Sequence, residues 1–274
     1  MIPETHRGLA LPSLHPALEK YQAELQEIVK PAWLLKCHKT ETISRFQTHI
    51  SGNTPFAPVE DGWPLCDKCE KPLEFVWQID FADFNGIGTF ASRGLFQFFY
   101  CWDCFALPPQ DEFDYACRWY PDFDAQQMQN VVQLDAPYQA TDTAWGVEPL
   151  CVDIVPFLSV PGKFSQENPI PENAQNEMVS KEDGRLWAVY SFTEGFYLEG
   201  EMISRVGGYP PWVQFHDDTP NCPVCGARAE FVGAIGSDDT DLIWGDSGYW
   251  YFFACKATAE CHGLASPLMA SQCY

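Results

Sequence analysis

A chain of 274 residues, 46% hydrophobic and 15% aromatic, can fill the core of one large domain or two modest ones, which excludes a disordered chain. Its 38 acidic against 16 basic residues leave a formal charge of -22, which argues against direct binding to nucleic acid or anionic membrane surfaces and suits a basic protein as partner. The N-terminus MIPETHRGLALPSLHPAL lacks the charged start and apolar run of a signal peptide, and no stretch of about eighteen apolar residues exists to span a bilayer, so a cytoplasmic protein is expected.

In chain order, the first predicted element is a helix. Leu14, Leu18, Tyr21, Leu25 and Ile28 form one apolar stripe between Ser13 and about Leu35, which Pro31 ends or kinks. Short aromatic and β-branched runs then predict strands: LEFVWQI (73–79), GLFQFFYC (94–101), NVVQL (130–134), LCVDIV (150–155) and GYWYFFAC (248–255). Between Pro161 and Gly184 the chain is polar, proline-bearing and nearly free of aromatics, the composition of a linker. The predicted organisation is an N-terminal helical segment (1–44), a first half (45–160), a linker (161–184) and a second half (185–274), with one continuous sheet as the alternative. The expected class is α+β, mainly β, built from internally duplicated zinc-knuckle β units that form two pseudo-equivalent halves.

The duplication is visible in the text of the chain. CDKCEKPLEFVWQI (66–79) and CPVCGARAEFVGAI (222–235) align without a gap: Phe75 and Phe231 each follow a Cys-x-x-Cys pair by six positions, and Ile79 and Ile235 come four later. Cys101 lies 32 residues after Cys69 within FQFFYC, and Cys255 lies 30 residues after Cys225 within WYFFAC. Each half therefore writes a ligand pair, a strand, an excursion and a second strand ending in cysteine.

Tetrahedral zinc explains this arrangement, because a Cys-x-x-Cys turn supplies two thiolates from one compact knuckle and a second strand end supplies the others. The first set is Cys66, Cys69, Cys101 and Cys104. In the second set Cys222, Cys225 and Cys255 are joined by Cys261, with His262 and Cys273 as substitutes for the fourth position. Two structural zinc ions are expected, and their four-thiolate sites add about -4 to the net charge. CWDC (101–104) also has the spacing of a redox dithiol, but such a pair opens a helix and needs no second Cys-x-x-Cys at fixed distance. Cys37, Cys117 and Cys151 lack paired spacing and read as small buried hydrophobes.

GDSG (245–248) matches the nucleophile segment of chymotrypsin-like proteases, yet no histidine stands in a matching context and Tyr249 replaces the next glycine, so it reads as a turn that launches a strand. GxxxxGK[ST] and HExxH are missing, GIG (86–88) lacks dinucleotide-loop spacing, and SDDTD (237–241) lacks EF-hand spacing.

RVGGYPPWVQ (205–214), CPVCG, FVGAI and GDSGYWYFFAC, together with WPLCDKCEKPLEFVWQID and GLFQFFYC in the first half, resemble the YwqG-like family of bacterial proteins of unknown function over roughly residues 45–274. Gly207 and Gly208 in that tract suit a tight turn with positive φ, and Trp212 suits an aromatic anchor near the knuckle. Gly52 and Pro55 before Trp63 and Pro64 form a weaker echo at a different spacing from the cysteines. PLEFVWQ (72–78) and GGYPPW (207–212) are also similar, more distantly, to the eukaryotic programmed cell death protein 2 family, which implies a chaperone-like role toward a basic ribosomal protein. Two functions are thus weighed. One is an acidic binding module for a basic protein, either chaperone-like or of the toxin-neutralising immunity type. The other is an enzyme using carboxylates such as Asp80, Asp83, Asp238, Asp239 or Asp246 in a cleft between the halves.

Overall fold

The computed structural model describes residues 6–7, 9, 21–39, 46–50, 55–84, 90–104, 114–130, 149–162, 165–168, 204–214, 216–237, 240 and 242–273. These comprise one short helix, α1 (Gln22–Ile28), and twelve strands: β1 (Lys30–Lys39), β2 (His49–Ile50), β3 (Phe56–Pro58), β4 (Glu74–Asp80), β5 (Leu95–Tyr100), β6 (Tyr115–Tyr120), β7 (Met128–Asn130), β8 (Leu150–Ser159), β9 (Arg205–Gly207), β10 (Glu230–Gly236), β11 (Tyr249–Ala254) and β12 (Leu268–Gln272). β3 and β7 pair with each other, and the other ten make one sheet in the order β12-β11-β10-β9-β1-β8-β2-β4-β5-β6.

The predicted helix over 13–35 is corrected by this sheet. Helix spans only 22–28 among the described residues, Leu14 and Leu18 lie outside them, and Lys30–Lys39 is a strand. Pro31 cannot donate to a continuing helix, and the apolar run after it serves both faces of a central strand. Trp33 and Leu35 enter the main core, while Ala32 and Leu34 join Phe157 in a cluster of their own. The strands expected at 73–79, 94–101, 150–155 and 248–255 occur as β4, β5, β8 and β11. Of NVVQL only Asn130 is described, as the last residue of β7; 131–134 and most of the expected linker lie outside the described residues.

The sheet order reads the same from either edge. β1 and β8 pair antiparallel along their whole length, from Lys30↔Ser159 to Lys39↔Leu150. Beyond β1 stand β9, β10, β11 and β12, and beyond β8 stand β2, β4, β5 and β6. Each half's leading strand thus lies against the other half: β1 borders β9 and β8 borders β2. Strand β1, which falls within the expected N-terminal helical segment 1–44, stands in the middle of the sheet.

The sheet curls so that the β4–β5 and β10–β11 hairpins face each other across a core of rings. Phe98 and Phe252, which occupy equivalent places in the two hairpins, meet at 4.9 Å between centroids; Trp77 approaches Phe252 at 5.4 Å and Tyr100 approaches Trp250 at 5.5 Å. Both hairpins carry the same register shift, between Phe75 and Trp77 in one and between Phe231 and Gly233 in the other. A β-carbon on Gly233 would sit 3.1 Å from the Trp77 ring and 2.7 Å from the Arg205 carbonyl oxygen, so the indole of one half fills the space that glycine leaves in the other.

The upstream arm repeats with the same 156-residue offset as the cysteines, which corrects the expected difference in spacing. Gly52, Pro55 and Pro64 correspond to Gly208, Pro211 and Pro220. The Thr48 hydroxyl accepts the Asp80 N–H at 3.0 Å, and the Ser204 hydroxyl accepts the Gly236 N–H at 3.0 Å. Gly207 and Gly208 both have φ of +76°, and a β-carbon at Gly208 would lie 2.6 Å from that of Ser159. Trp212 anchors its arm on Tyr251 and Phe253, at 4.5 and 6.0 Å. The first arm is held differently: buried Gln97 donates to the Phe56 carbonyl at 2.6 Å, whereas in the second arm the Tyr251 hydroxyl donates to the Pro211 carbonyl at 2.8 Å.

His49 occupies β2, the two-residue strand that joins β8 to β4. It is 1% exposed, its Nδ1 bonds the Gln47 carbonyl at 2.9 Å, and burial lowers its pKa to about 4. Because the folded value lies below the unfolded one, the associated stability is fully present above about pH 6.5 and is lost as pH falls from there toward 4, by about 3 kcal/mol for a group of this shift. His49→Gln is expected to lose less stability than the parent between pH 7.5 and 4.5 in urea titrations; equal losses would show that His49 does not titrate on unfolding.

Candidate metal centres

Each Cys-x-x-Cys knuckle is folded by its own backbone. In the first, the Cys66 N–H donates to the Lys71 carbonyl at 2.8 Å and the Glu70 N–H returns to the Cys66 carbonyl at 2.9 Å; in the second, Cys222 to Ala227 and Gly226 to Cys222 repeat the pair at 2.7 and 2.8 Å. The residue after the second cysteine takes positive φ in both, 60° at Glu70 and 73° at Gly226. Glycine suits that conformation and glutamate adopts it at a cost, which marks the first knuckle as held by its surroundings. Isolated bridges Leu65↔Pro72 and Asn221↔Arg228 close the two loops at matching positions.

The knuckles deliver their sulfurs beside the ends of the second strands. Cys101 directly follows β5 and Cys255 directly follows β11, so each cluster clasps the open end of a hairpin. Cys66, Cys69, Cys101 and Cys104 have their sulfurs within 4.8 Å of one another, as do Cys222, Cys225, Cys255 and Cys261. Cys66–Cys104 and Cys69–Cys101 are separated by 3.6 and 3.7 Å; Cys222–Cys261, Cys225–Cys255 and Cys255–Cys261 by 3.7, 3.6 and 3.6 Å. A tetrahedron with arms of about 2.3 Å has edges of about 3.8 Å, whereas a disulfide requires about 2.05 Å. The spacing fits a tetrahedral metal ion with four sulfur ligands, and all twelve cysteines are free of disulfides.

Of the three residues weighed for the fourth position of the second set, Cys261 has its sulfur within the group, and the exposed His262 and half-buried Cys273 lie outside it. Burial pushes the Cys66 thiol up and that of Cys101 up to about 11, while the Thr258 hydroxyl, 3.3 Å from the Cys261 sulfur, holds that thiol down to about 6. A metal taken up by these sulfurs would displace protons from the buried members.

Around the clusters lie supports that the motif search passed over. The Asp114 carboxylate accepts the Asp67 N–H in the first knuckle, and Asp217 joins Arg228 beside the second at 2.6 Å. Asp217 also accepts the Thr219 and Gln166 N–H groups at 2.9 Å each, and its counterpart Asp61 accepts the Tyr120 hydroxyl at 2.6 Å. A signal for this pair was present in the sequence, since both aspartates stand five positions before their first cysteine.

Other candidates have structural roles. Asp83 accepts the Thr48 N–H at 3.0 Å and Asp80 the Ala82 N–H at 2.9 Å; Asp238, Asp239 and Asp241 lie outside the described residues. Asp246 and Ser247 are exposed in the turn before β11, and Ser247 has φ of 57°. Cys37 and Cys117 pack against the main core and Cys151 is buried.

No helix among the described residues is long and apolar enough to cross a membrane. No curated protein matches the chain. The stretch that contains both arms, both knuckles and all eight clustered cysteines, residues 49–262, matches the family model described as a domain of unknown function (DUF1963), and the chain belongs to that family.

Proposed function

We propose that this chain is an acidic protein-binding module braced by two structural zinc ions, with a basic protein as its partner. The paired four-sulfur clusters carry the zinc part of the reading. Zinc favours closed tetrahedral thiolate sites of this kind, and two such sites would fix the open ends of the β4–β5 and β10–β11 hairpins. Twelve disulfide-free cysteines agree with a reducing, cytoplasmic setting.

The partner's chemistry rests on the charge of -22. An open cleft of about 370 Å³ lined by Asp80, Asp122, Asp124, Phe123 and Arg93, with Asp122 paired to Arg93, supports the reading, since its carboxylates and aromatic wall suit a partner's lysine or arginine. A chaperone-like hold on a basic ribosomal protein and neutralisation of a basic toxin both fit this chemistry. Affinity capture at low and high salt, followed by mass spectrometry, is expected to retain one basic protein that salt releases, since charge attraction is screened over about 8 Å at physiological ionic strength. The double variant Asp80→Asn, Asp124→Asn is expected to weaken that capture. Retention of a neutral or acidic protein, or capture indifferent to salt, contradicts the reading.

A further inference from the structure

The two ligand sets share a backbone plan and a pattern of burial but differ in the residues packed beside them and in the arm that brings the last sulfur. Trp63 covers the first set: its indole donates to the Leu73 carbonyl at 2.7 Å and meets Phe99 edge-on at 5.7 Å. Cys66, Cys101, Leu73, Phe75 and Phe99 form a buried apolar cluster, against which Trp63, Cys69 and Cys104 pack. At the equivalent positions of the second set, Thr219 replaces Trp63 and Ala229 replaces Leu73. Two residues separate the last two ligands of the first set, Cys101 and Cys104, whereas five residues, Lys256–Glu260, all exposed, separate Cys255 from Cys261. The last sulfur of the second set is therefore carried on an exposed loop, whereas the first set packs beneath an indole.

That loop also ties the halves together. The Lys256 ammonium donates to the Phe90 carbonyl and stands 5.3 Å over the Phe90 ring. Beyond Cys261, Leu264 is buried in the main core, and the 3-10 turn Gly263–Ala265 packs against β6 of the first half.

We propose that the second set is a peroxide-reactive site, in which oxidation of Cys261 expels the metal and unlatches residues 256–265 from the first half while the first set stays intact. The proposal rests on the reading of both sets as zinc sites. Metal-bound cysteines are thiolates, and thiolates are the species that peroxides oxidise. The Cys261 thiolate attacks one oxygen of hydrogen peroxide, the O–O bond breaks, and sulfur leaves the step as a sulfenic acid with hydroxide released. The Cys255 thiolate, 3.6 Å away, attacks that sulfur, forming the S–S bond and displacing a second hydroxide. Two thiolates lose two electrons in total, peroxide becomes two hydroxide ions, and the ion departs as a dication from the two sulfurs that remain.

The test uses full-length protein with its metal in place, one equivalent of hydrogen peroxide per chain, and a chromogenic chelator that reports release. The expected result is one ion released per chain, a Cys255–Cys261 disulfide in alkylation mapping, reduced thiols throughout the first set, and faster hydrogen exchange in β6. Reductant with added zinc restores the starting state. Trp63→Thr, which gives the first set the residue of the second, is expected to bring the other ion into the same kinetic phase. Release of both ions together from the parent protein, or a disulfide first in Cys66, Cys69, Cys101 and Cys104, overturns the proposal. Purified protein that holds no metal at all overturns instead the zinc reading beneath it.

Discussion

Cys101→Ser is expected to halve the metal content and abolish cooperative unfolding. Structural zinc contributes about 10–16 kcal/mol of apparent binding free energy in small peptides at neutral pH, comparable with or above the ~5–15 kcal/mol that separates a whole folded domain from its unfolded chain. Cys101 joins the end of β5 to the knuckle before β4, so losing the ion frees the open end of that hairpin. Phe98 and Tyr100 on β5 pack directly on Phe252 and Trp250 of the other half, so the loosened hairpin withdraws contacts from the common core. The expected observation is loss of the near-ultraviolet circular dichroism of the tryptophans together with the thermal transition. A variant that melts as sharply as the parent, with one ion fewer, would assign the metal no role in holding the sheet.

Trp77→Ala is expected to cost about 3–5 kcal/mol, the range for deleting a fully buried large aromatic side chain. The indole is completely buried, meets Phe252 at 5.4 Å and covers the backbone at Gly233. The facing residue cannot fill the space, because it is a glycine whose own β-carbon would strike the Arg205 carbonyl. Leu65→Ala is the control: Leu65 is 56% exposed, and its replacement is expected to stay within about 0.5 kcal/mol. Urea midpoints for the three proteins decide the matter, and a Trp77→Ala midpoint equal to that of the control would remove Trp77 from the core argument.

Legibility in the sequence followed the range of the interactions. Cys-x-x-Cys spacing and the aromatic strands are local, and they led to β4, β5, β11 and the two clusters. The upstream arm was harder to read because its repeated glycines, prolines and aspartates are interrupted by unlike neighbours: Trp63 faces Thr219 in the alignment, and His49 faces Arg205. The helix-like stripe of 13–35 misled because Trp33, Leu34 and Leu35 are apolar for a reason that helical periodicity cannot express, burial on both faces of a central strand. Least legible was the exchange of leading strands. It depends on the pairing of Lys30–Lys39 with Leu150–Ser159 across more than a hundred residues, and no residue type within either strand announces it.

Metal content and ligation test the account most directly. Elemental analysis of the purified protein combined with X-ray absorption at the metal edge is expected to find two zinc ions per chain, each with four sulfur neighbours at about 2.3 Å. A folded protein with no bound metal, or with oxygen and nitrogen neighbours in place of sulfur, would contradict it.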